Sequence, residues 1–287
     1  MNENFESKNN VIPQLQVRNI LRKHGIKPKK GLGQNFLQDE HHLSKIISIA
    51  NISKTDTVLE IGPGLGSLTR YLAVHASEVI AVELDHNLID ILKNTMVTNE
   101  NVKYINKDIL KVDIDELMSN SPYIVVANIP YYITSHLIRH LLESTNKPDR
   151  IVLTIQHEVA LRICSKPPDM NLLALSIQVY GEPTIRSRIP AGAFFPMPSI
   201  DSAVININLY PTPVIPPPYT EIFFQLAKAG FKQKRKSLRN SLSAGLSKPK
   251  PEIDAMLKRS EIDSKRRAQS LSLDEWKKLS YQILTCP

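Results

Sequence analysis

The clearest pattern in the chain is an alternation of short apolar runs with amphipathic segments from Thr57 to about Leu209. The apolar runs are rich in Val and Ile, which favour β-strands, whereas the segments between them carry apolar residues at helical spacing. We predict five strands in this region, Val58–Ile61, Val79–Val82, Val102–Asn106, Tyr123–Ala127 and Ile151–Gln156. Strands that alternate with helices usually pair in parallel, so the pattern predicts an α/β fold with a mostly parallel sheet and helices on both faces.

Helical patterns flank this region on both sides. Pro13–His24 has helical spacing and ends at a glycine, and Asp39 is placed to cap a helix that runs to about Ala50. After the proline-rich stretch Pro211–Pro218, four helical segments follow: Tyr219–Gly230, Lys234–Gly245, Pro251–Arg259 and Leu273–Leu284. We therefore predict an N-terminal arm and helix (1–27, the first ten residues disordered), an α/β domain (28–210), a linker (211–218) and an all-helical domain (219–287).

Composition and charge narrow the class of protein. A hydrophobic content of 42% is ordinary for a soluble globular chain, and no apolar run approaches the roughly 18 residues that a membrane span needs. The polar start lacks the hydrophobic core of a signal peptide, and Cys164 and Cys286 have no metal-ligand spacing. We expect a cytoplasmic protein without a metal site. The net charge of +8 favours a polyanionic partner.

A glycine-rich loop, VLEIGPGLGSLT at Val58–Thr69, follows the first strand, and we expect a helix to begin at Ser67. Glycines at 62, 64 and 66 let a backbone bend sharply and approach a ligand closely. An ordinary tight turn or a nicotinamide site would satisfy much of this pattern. The EIGPGLG motif, with Glu60 before the loop and Pro63 inside it, resembles the S-adenosylmethionine loop of Rossmann-like methyltransferases. Nicotinamide sites more usually show GxGxxG.

Acidic residues follow the next two predicted strands. Glu83 closes the second strand about 20 residues beyond the loop, where a carboxylate can accept both ribose hydroxyls of an adenine nucleoside. Asp108, in NKDIL after the third strand, is placed to accept a hydrogen bond from an adenine amino group, with Ile109 beside it. A helix cap or turn would equally explain Asp108. The carboxyl ends of parallel strands share one edge of a sheet, so we expect these side chains to meet there.

The segment NIPYY, Asn128–Tyr132, follows the fourth strand. The side-chain carbonyl of Asn128 and a neighbouring backbone carbonyl can accept hydrogen bonds from both N–H groups of an aromatic amine and favour its pyramidal, nucleophilic form. Pro130 tightens the loop, and Tyr131 offers a face on which an extruded base can stack. An ordinary turn of the Asn-x-Pro-aromatic type is the alternative interpretation of this segment.

A basic stretch precedes the sheet. Seven Lys or Arg residues and no acid lie between Ser7 and Gln38, which a solvated arm would explain. The segment GLGQNFL at Gly31–Leu37 is too apolar for an arm, however. We expect Leu32, Phe36 and Leu37 to be buried, which would bring the amides of Gln34 and Asn35 against the ligand of the glycine loop.

Together these segments resemble the rRNA adenine N6,N6-dimethyltransferase family. The resemblance rests on GLGQNFL, VLEIGPGLGSLT, VELD at Val82–Asp85, KDIL at Lys107–Leu110, NIPYYITS at Asn128–Ser135, QHEVALRI at Gln156–Ile163 and AFFPMPSIDSAV at Ala193–Val204, and covers about Lys29 to Trp276. It implies a Rossmann-like methyltransferase fold with a mostly parallel seven-stranded sheet and a small all-α C-terminal domain. It also implies S-adenosylmethionine as the cofactor, S-adenosylhomocysteine as its product and no metal.

The resemblance assigns roles to individual residues. It implies cofactor contacts by Asn35, Leu37, Gly62, Glu83, Asp108 and Asn128. It implies a catalytic set of Asn128, Pro130, Tyr131 and Phe194, in which Phe194, the first residue of an FxPxP pattern, stacks on the target adenine opposite Tyr131. From the residues alone, Phe194 could equally belong to the core.

The C-terminal half separates two branches of this family. FKQKRKSLRNSL at Phe231–Leu242 resembles the signature of the small-subunit, kasugamycin-sensitivity branch, with Lys234 where Arg is usual, and Ile200-Asp201-Ser202 also resembles that branch. This branch dimethylates two adjacent adenosines in the 3′-terminal hairpin loop of 16S rRNA. The large-subunit, macrolide-resistance branch and a non-catalytic nucleic-acid-binding factor on the same fold are the alternatives.

The same half supplies a candidate RNA-binding surface. Five basic residues lie in a stretch without acids: Lys232, Lys234, Arg235, Lys236 and Arg239. A solvated helix face would explain them, but beside an RNA methyltransferase we favour phosphate contacts within the assembling 30S particle. We expect a monomer that does not bind membranes. At 170–172 the chain has Met-Asn-Leu where the family pattern tends to have Tyr-Gly, which bears on target-loop handling rather than on cofactor binding.

Overall fold

The structure, a computed structural model, describes residues 12–96, 99–119 and 121–284. The predicted disorder of the first ten residues lies outside the described residues. The strands are β1 (Phe36–Leu37), β2 (Thr57–Ile61), β3 (Glu78–Glu83), β4 (Val102–Asn106), β5 (Ile124–Asn128), β6 (Arg150–Gln156), β7 (Gly181–Ile189), β8 (Phe194–Phe195) and β9 (Ser202–Leu209). All five predicted strands are present, each within one residue of its predicted bounds.

The helices surround the strands and continue beyond them. They are α1 (Val17–Lys23), α2 (Glu40–Ala50), α3 (Thr69–His75), α4 (His86–Thr95), α5 (Ile114–Met118), α6 (Thr134–Glu143), α7 (His157–Ile163), α8 (Leu172–Gln178), α9 (Tyr219–Phe231), α10 (Leu238–Leu246), α11 (Lys250–Arg259) and α12 (Leu273–Leu284). The predicted cap of α2 is confirmed, because the Asp39 carboxylate accepts a hydrogen bond from the His42 amide.

Seven strands form one sheet in the order β4-β3-β2-β5-β6-β9-β7, in which only β9 runs against its neighbours. The predicted mostly parallel sheet is therefore confirmed. Its order reverses between β2 and β5, and a crevice at such a switch point is where ligands of open α/β sheets bind. Two apolar layers cover the two faces of the sheet, one centred on Leu59 and Val125, the other on Val58 and Val126. Alternate side chains of the same strands thus serve opposite faces.

Three predicted helix starts are wrong. The first helix begins at Val17 rather than Pro13, because the Pro13 carbonyl is used as an acceptor by the Arg70 guanidinium, 2.6 Å away. The helix after the glycine loop begins at Thr69 rather than Ser67, since Gly66 has a φ of 90°. The helix predicted from Lys234 begins at Leu238, whose amide donates to the Arg266 carbonyl at 2.6 Å. The intervening basic residues therefore form a turn.

The C-terminal helices share a core with the preceding region. Trp276, Phe223 and Leu242 pack in one buried cluster with Met170 and Leu175. The proline-rich stretch is held as well, since the Val214 amide donates to the Val179 carbonyl at 2.9 Å. Met170, where the chain departs from the family pattern, is therefore a core residue of this cluster. The predicted domain bounds at 210 and 219 remain a prediction.

Candidate active site

A cleft opens at the carboxyl edge of the sheet, at the switch point between β2 and β5. Of the nine positions predicted to bind cofactor or to act in catalysis, counting Asn128 once, all but Phe194 line it: Asn35, Leu37, Gly62, Glu83, Asp108, Asn128, Pro130 and Tyr131. These residues come from five separate segments of the chain. The sheet order brings four of the segments together, because the four strands that carry them are neighbours with the same direction, and the segment of Asn35 and Leu37 packs beside them.

The glycine loop forms the floor of the cleft. Gly62, Gly64 and Gly66 have φ angles of 69°, 60° and 90°, a region that residues with a side chain rarely adopt. A Cβ added at Gly64 would lie 3.0 Å from the Phe36 ring, and one at Gly66 would lie 2.9 Å from Leu92. Conformation and packing therefore both require glycine here, and the loop leaves space for a ligand beside its backbone.

Glu83 is fixed at the end of β3 by two backbone amides. Its Oε2 accepts from the Gly64 amide at 3.0 Å and its Oε1 from the Asp85 amide at 2.9 Å. Burial raises the pKa of Glu83 above its ordinary value, although these hydrogen bonds oppose the shift. Each carboxylate oxygen has a second lone pair, so Glu83 can still accept hydrogen bonds from a pair of hydroxyl groups.

Asp108 caps a turn and also lines the cleft. Its Oδ1 accepts from the Leu110 amide at 3.1 Å and caps the short 3₁₀ turn Ile109–Lys111. The same side chain and the buried Ile109 line the cleft. An acceptor beside an apolar side chain suits the edge and face of a purine.

A strap formed by residues 29–38 closes one side of the cleft. Phe36 and Leu37 are buried as predicted, and β1 pairs with β8 so that Leu37 lies opposite Phe194. Leu32 is only half-buried, which corrects its prediction, because it lies at the cleft rather than in the core. The side-chain Nδ2 of Asn35 donates to the Gly33 backbone carbonyl at 3.1 Å.

Asn128 lies at the end of β5 with its amide group oriented by the strap. Its Nδ2 donates to the Asn35 backbone carbonyl at 3.3 Å. Among the described residues, none donates a hydrogen bond to its Oδ1, so this oxygen remains an acceptor for a ligand. Tyr131 lines the cleft, and its hydroxyl lies 2.7 Å from the hydroxyl of Ser202. Burial raises the pKa of Tyr131, which keeps this phenol protonated near neutral pH.

Phe194 lies in the buried layer beside the strap rather than in the cleft lining. Its side chain is 2% exposed, packs in the buried layer with Leu37, and is absent from the cleft lining. The core interpretation of Phe194 is therefore the one that the structure supports, because pairing of β1 with β8 turns its ring inward. Its neighbour Phe195 is half-buried and lies under the Arg18 guanidinium, 4.7 Å from the ring centre.

Glu60 is a candidate that the sequence marked only as part of the loop pattern. It lines the cleft, is 1% exposed, and its Oε2 has no hydrogen-bond partner among the described residues. Burial raises the pKa of Glu60 to about 8. A buried carboxyl oxygen without a hydrogen-bond partner beside a cleft suits a polar or cationic ligand group, since a buried polar group costs free energy until it is paired. The available signal was an acid at the end of an otherwise apolar strand.

The basic stretch forms an exposed turn between α9 and α10. Lys232, Lys234, Arg235 and Lys236 are exposed, and within the described part of the chain they have no ion-pair partner. Arg239 differs, because it lies in α10 and pairs with Asp254 at 3.3 Å. The neighbouring Arg266 is likewise committed to Glu275, with one N–O distance of 3.1 Å.

Comparison with known proteins identifies the family. The family model for ribosomal RNA adenine dimethylase matches residues 25–284. The chain belongs to this family. Among its curated relatives, the ribosomal RNA small subunit methyltransferase A of Dehalococcoides mccartyi strain CBDB1 is 45% identical over 273 residues, which cover 95% of this chain and 94% of the relative. The protein of the same name from Alkaliphilus metalliredigens is 37% identical over 280 residues, which cover 95% of this chain and 98% of the relative. As a member of the rRNA adenine dimethylase family, the chain is an enzyme.

Two solved structures have the same fold. A dimethyladenosine transferase from Plasmodium falciparum matches with a TM-score of 0.75 at 23% identity, covering 85% of this chain and 95% of that one. The 23S rRNA methyltransferase ErmE matches with a TM-score of 0.72 at 24% identity, covering 88% and 100%. The predicted Rossmann-like fold with a helical C-terminal region is thereby confirmed. No helix within residues 12–96, 99–119 and 121–284 is both long and apolar enough to cross a membrane.

Proposed function

We propose that this protein dimethylates N6 of two adjacent adenosines in the 3′-terminal hairpin loop of 16S rRNA, using S-adenosylmethionine and releasing S-adenosylhomocysteine. The observation that carries the proposal is the cleft itself, where Asn35, Glu83, Asp108, Asn128 and Tyr131 converge from separate segments. The family match and the two curated relatives described above, both named ribosomal RNA small subunit methyltransferase A, at 45% and 37% identity, support the substrate.

The cleft suits a cationic nucleoside cofactor. Glu83 would accept the ribose hydroxyls, Asp108 the adenine amino group, and the glycine loop would admit the ligand close to its backbone. A cationic ligand beside the Glu60 carboxyl, whose Oε2 has no hydrogen-bond partner among the described residues, would favour ionisation of this group. Asn35, Leu37, Gly62 and Asn128 would complete these contacts. When bound, S-adenosylmethionine supplies a methyl group on a sulfonium, an activated donor that requires no metal.

The chain's own contribution to the transfer is to orient the amine. The Oδ1 of Asn128 and a backbone carbonyl of the Asn128–Pro130 turn would accept its two N–H hydrogen bonds, which favours a pyramidal nitrogen with an accessible lone pair. The ring of Tyr131 would stack on the extruded base, a contact worth roughly 1–3 kcal/mol per base. Phe194 could join this stack only after its ring leaves the core, so we assign the stack to Tyr131.

The small-subunit branch is favoured over the large-subunit branch. The curated relatives of 37–45% identity carry the small-subunit name, whereas the match to ErmE at 24% identity bears on the fold alone. A purely nucleic-acid-binding role would not require an oriented amide at Asn128 or a fixed carboxylate at Glu83. The exposed turn Lys232–Lys236 would bind RNA phosphates of the assembling 30S particle, with Arg239 as a further contact. We propose that the protein acts there as a cytoplasmic monomer.

Transfer of labelled methyl groups tests this proposal. Purified protein is incubated with labelled S-adenosylmethionine and small subunits that lack the modification, in parallel with modified small subunits and large-subunit rRNA. We expect label as N6,N6-dimethyladenosine on the unmodified small subunits alone. Label on large-subunit rRNA would favour the resistance branch, and an absence of label with bound cofactor would favour the binding factor.

A further inference from the structure

Three side chains join the strap to the far side of the cleft. Lys29 Nζ lies 2.8 Å from Asp85 Oδ1, and Gln34 Nε2 donates to Asp85 Oδ2 at 2.8 Å. The Lys29 amide donates to Gln34 Oε1, also at 2.8 Å, so the hydrogen bonds close into a ring. Each carboxylate oxygen of Asp85 therefore contacts a different residue of the strap, and the strap is gripped at both ends of residues 29–34.

The surroundings of Asp85 stabilise its negatively charged carboxylate form. Its side chain is fully buried, whereas that of Lys29 is 43% exposed. Burial opposes ionisation of Asp85, but the hydrogen bonds from Lys29 and Gln34 outweigh it, and the pKa of Asp85 lies below its ordinary value. A buried carboxylate that lost these partners would be left partly uncompensated, although the Asn87 amide at 3.2 Å would remain. Moving the strap away from Asp85 would therefore cost free energy, which favours the closed position of the strap.

The contacts of Lys29 and Gln34 with Asp85, here called the grip, are linked by hydrogen bonds to the proposed cofactor contact Glu83 and by the chain to the strap residue that orients Asn128. On one side, the Asp85 amide donates to Glu83, the proposed ribose contact. On the other, residue 34 is followed directly by Asn35, whose carbonyl accepts from the Asn128 amide at 3.3 Å. That single hydrogen bond decides which end of the Asn128 amide group faces the cleft. A displaced strap would remove the acceptor that orients it.

We propose that Lys29 and Gln34 are positioning residues that bind Asp85, hold the strap closed and thereby keep the Asn35 carbonyl against the amide of Asn128. The inference rests on the proposed function, because it assigns the orientation of the amine acceptor to the strap. Neither residue belongs to the cofactor or catalytic sets named above. Gln34, whose amide was predicted to face the ligand, lines the cleft but donates to Asp85 instead. Among the described residues, Asp85 alone forms a hydrogen bond or ion pair with the Lys29 ammonium group.

The structure offers a matched set of variants. Lys29→Met removes the ion pair but keeps the length and apolar stem of the side chain, and Lys29→Arg retains a cation that can reach Asp85. Lys27→Met is the control, since Lys27 is exposed, lies outside the strap and has no ion-pair partner in the described ranges. Both methionine variants remove one positive charge, so they weaken attraction to RNA to a similar extent.

Two measurements on the full chain separate the possibilities. Hydrogen exchange of the amides of residues 29–38, followed without RNA, should be about tenfold faster in Lys29→Met than in the wild type, Lys29→Arg or Lys27→Met. The kcat for methyl transfer at saturating RNA should fall about tenfold in Lys29→Met alone, while the KM for RNA rises equally in the two methionine variants.

The outcomes are distinct from those of the functional test. Unchanged exchange in Lys29→Met, or equal losses of kcat in Lys29→Met and Lys27→Met, would overturn the positioning role. Gln34→Met provides an independent variant if Lys29→Met unfolds in a thermal scan, and it should also speed exchange of the strap. A wild-type protein that transfers no methyl group would contradict the proposed function, while the exchange experiment would still decide whether the grip exists.

Discussion

The hydroxyl of Tyr131 lies 2.7 Å from the hydroxyl of Ser202, a buried residue at the first position of β9. The bond ties the outer end of a ring that lines the cleft to the start of strand β9. The bond restricts the position of the outer end of the ring beside the cleft. The proposed stacking surface is therefore preorganised by a residue 71 positions away in the sequence.

This bond predicts coupled losses of activity. We expect Tyr131→Phe and Ser202→Ala each to lower kcat a few-fold, and the double variant to lower it no further, because each change breaks the same bond. The stability cost should be about 1 kcal/mol in either single variant. Ser280→Ala, which removes a buried hydroxyl that donates to the Trp276 carbonyl in α12, should leave kcat unchanged. Additive losses in the kinetic cycle would argue against a shared bond.

A second prediction separates cofactor binding from methyl transfer. We expect Glu83→Ala to abolish cofactor binding in calorimetry, because Glu83 is the proposed acceptor of the ribose hydroxyls, whereas Asp108 is assigned to the adenine amino group. Asn128→Ala should bind the cofactor and lose methyl transfer, since it removes the proposed amine acceptor. Glu78→Ala is the control on the same strand, because Glu78 lies at the opposite end of β3. Full turnover by Asn128→Ala would refute the acceptor role.

A third prediction concerns the pH dependence of stability. The ordinary pKa of Glu60 is 4.5, and burial raises it to about 8 in the folded protein. Between these values the folded state keeps a proton that the unfolded state loses, so this group makes stability fall as pH rises, by at most about 1.4 kcal/mol per pH unit. Glu60→Gln, which cannot ionise, should lack this component. Denaturant unfolding of both proteins from pH 5 to 8 measures the difference, and parallel curves would contradict it.

A fourth prediction tests the basic turn. Replacement of Lys234, Arg235 and Lys236 by Gln should weaken RNA binding at every sequence and reduce the slope of log K against log salt by about 2. Lys93→Gln with Lys103→Gln is the control, since both are exposed on α4 and β4, at the opposite edge of the sheet from β7. Equal changes in slope per charge removed would mean that the turn is only a solvated surface.

The local pattern of apolar and polar residues was sufficient to predict most of the strands and helices. The five predicted strands appear because runs of β-branched residues specify strands wherever both faces are buried. The helix start at Leu238 could not be predicted in this way, because the amides of Leu238 and Arg239 donate to the Arg266 and Ser264 carbonyls, which come from a distant loop. The basic residues are therefore on a turn, although their composition would also suit a helix.

In the candidate site, too, some residues were predictable from local motifs and others were not. Motif spacing brought Asn35, Gly62, Glu83, Asp108 and Asn128 to one cleft in prediction, and the structure has them there. The position of Phe194 was not decided by its motif, since both a stacking role and a core role fit an aromatic residue after a short loop. Pairing of β1 with β8 is a contact between segments about 160 residues apart, and it turns the ring inward.

The sequence by itself determined the strands, the glycine loop, the cap of α2 and the family, because each depends on neighbours within a few positions or on a motif of fixed spacing. Tertiary structure alone decided the burial of Phe194, the raised pKa of Glu60, the bond between Tyr131 and Ser202 and the grip of Asp85 on Lys29 and Gln34. The physical reason is that burial, desolvation and hydrogen bonding between distant segments are set by which surfaces pack together, and a pattern of neighbouring residues does not specify that packing.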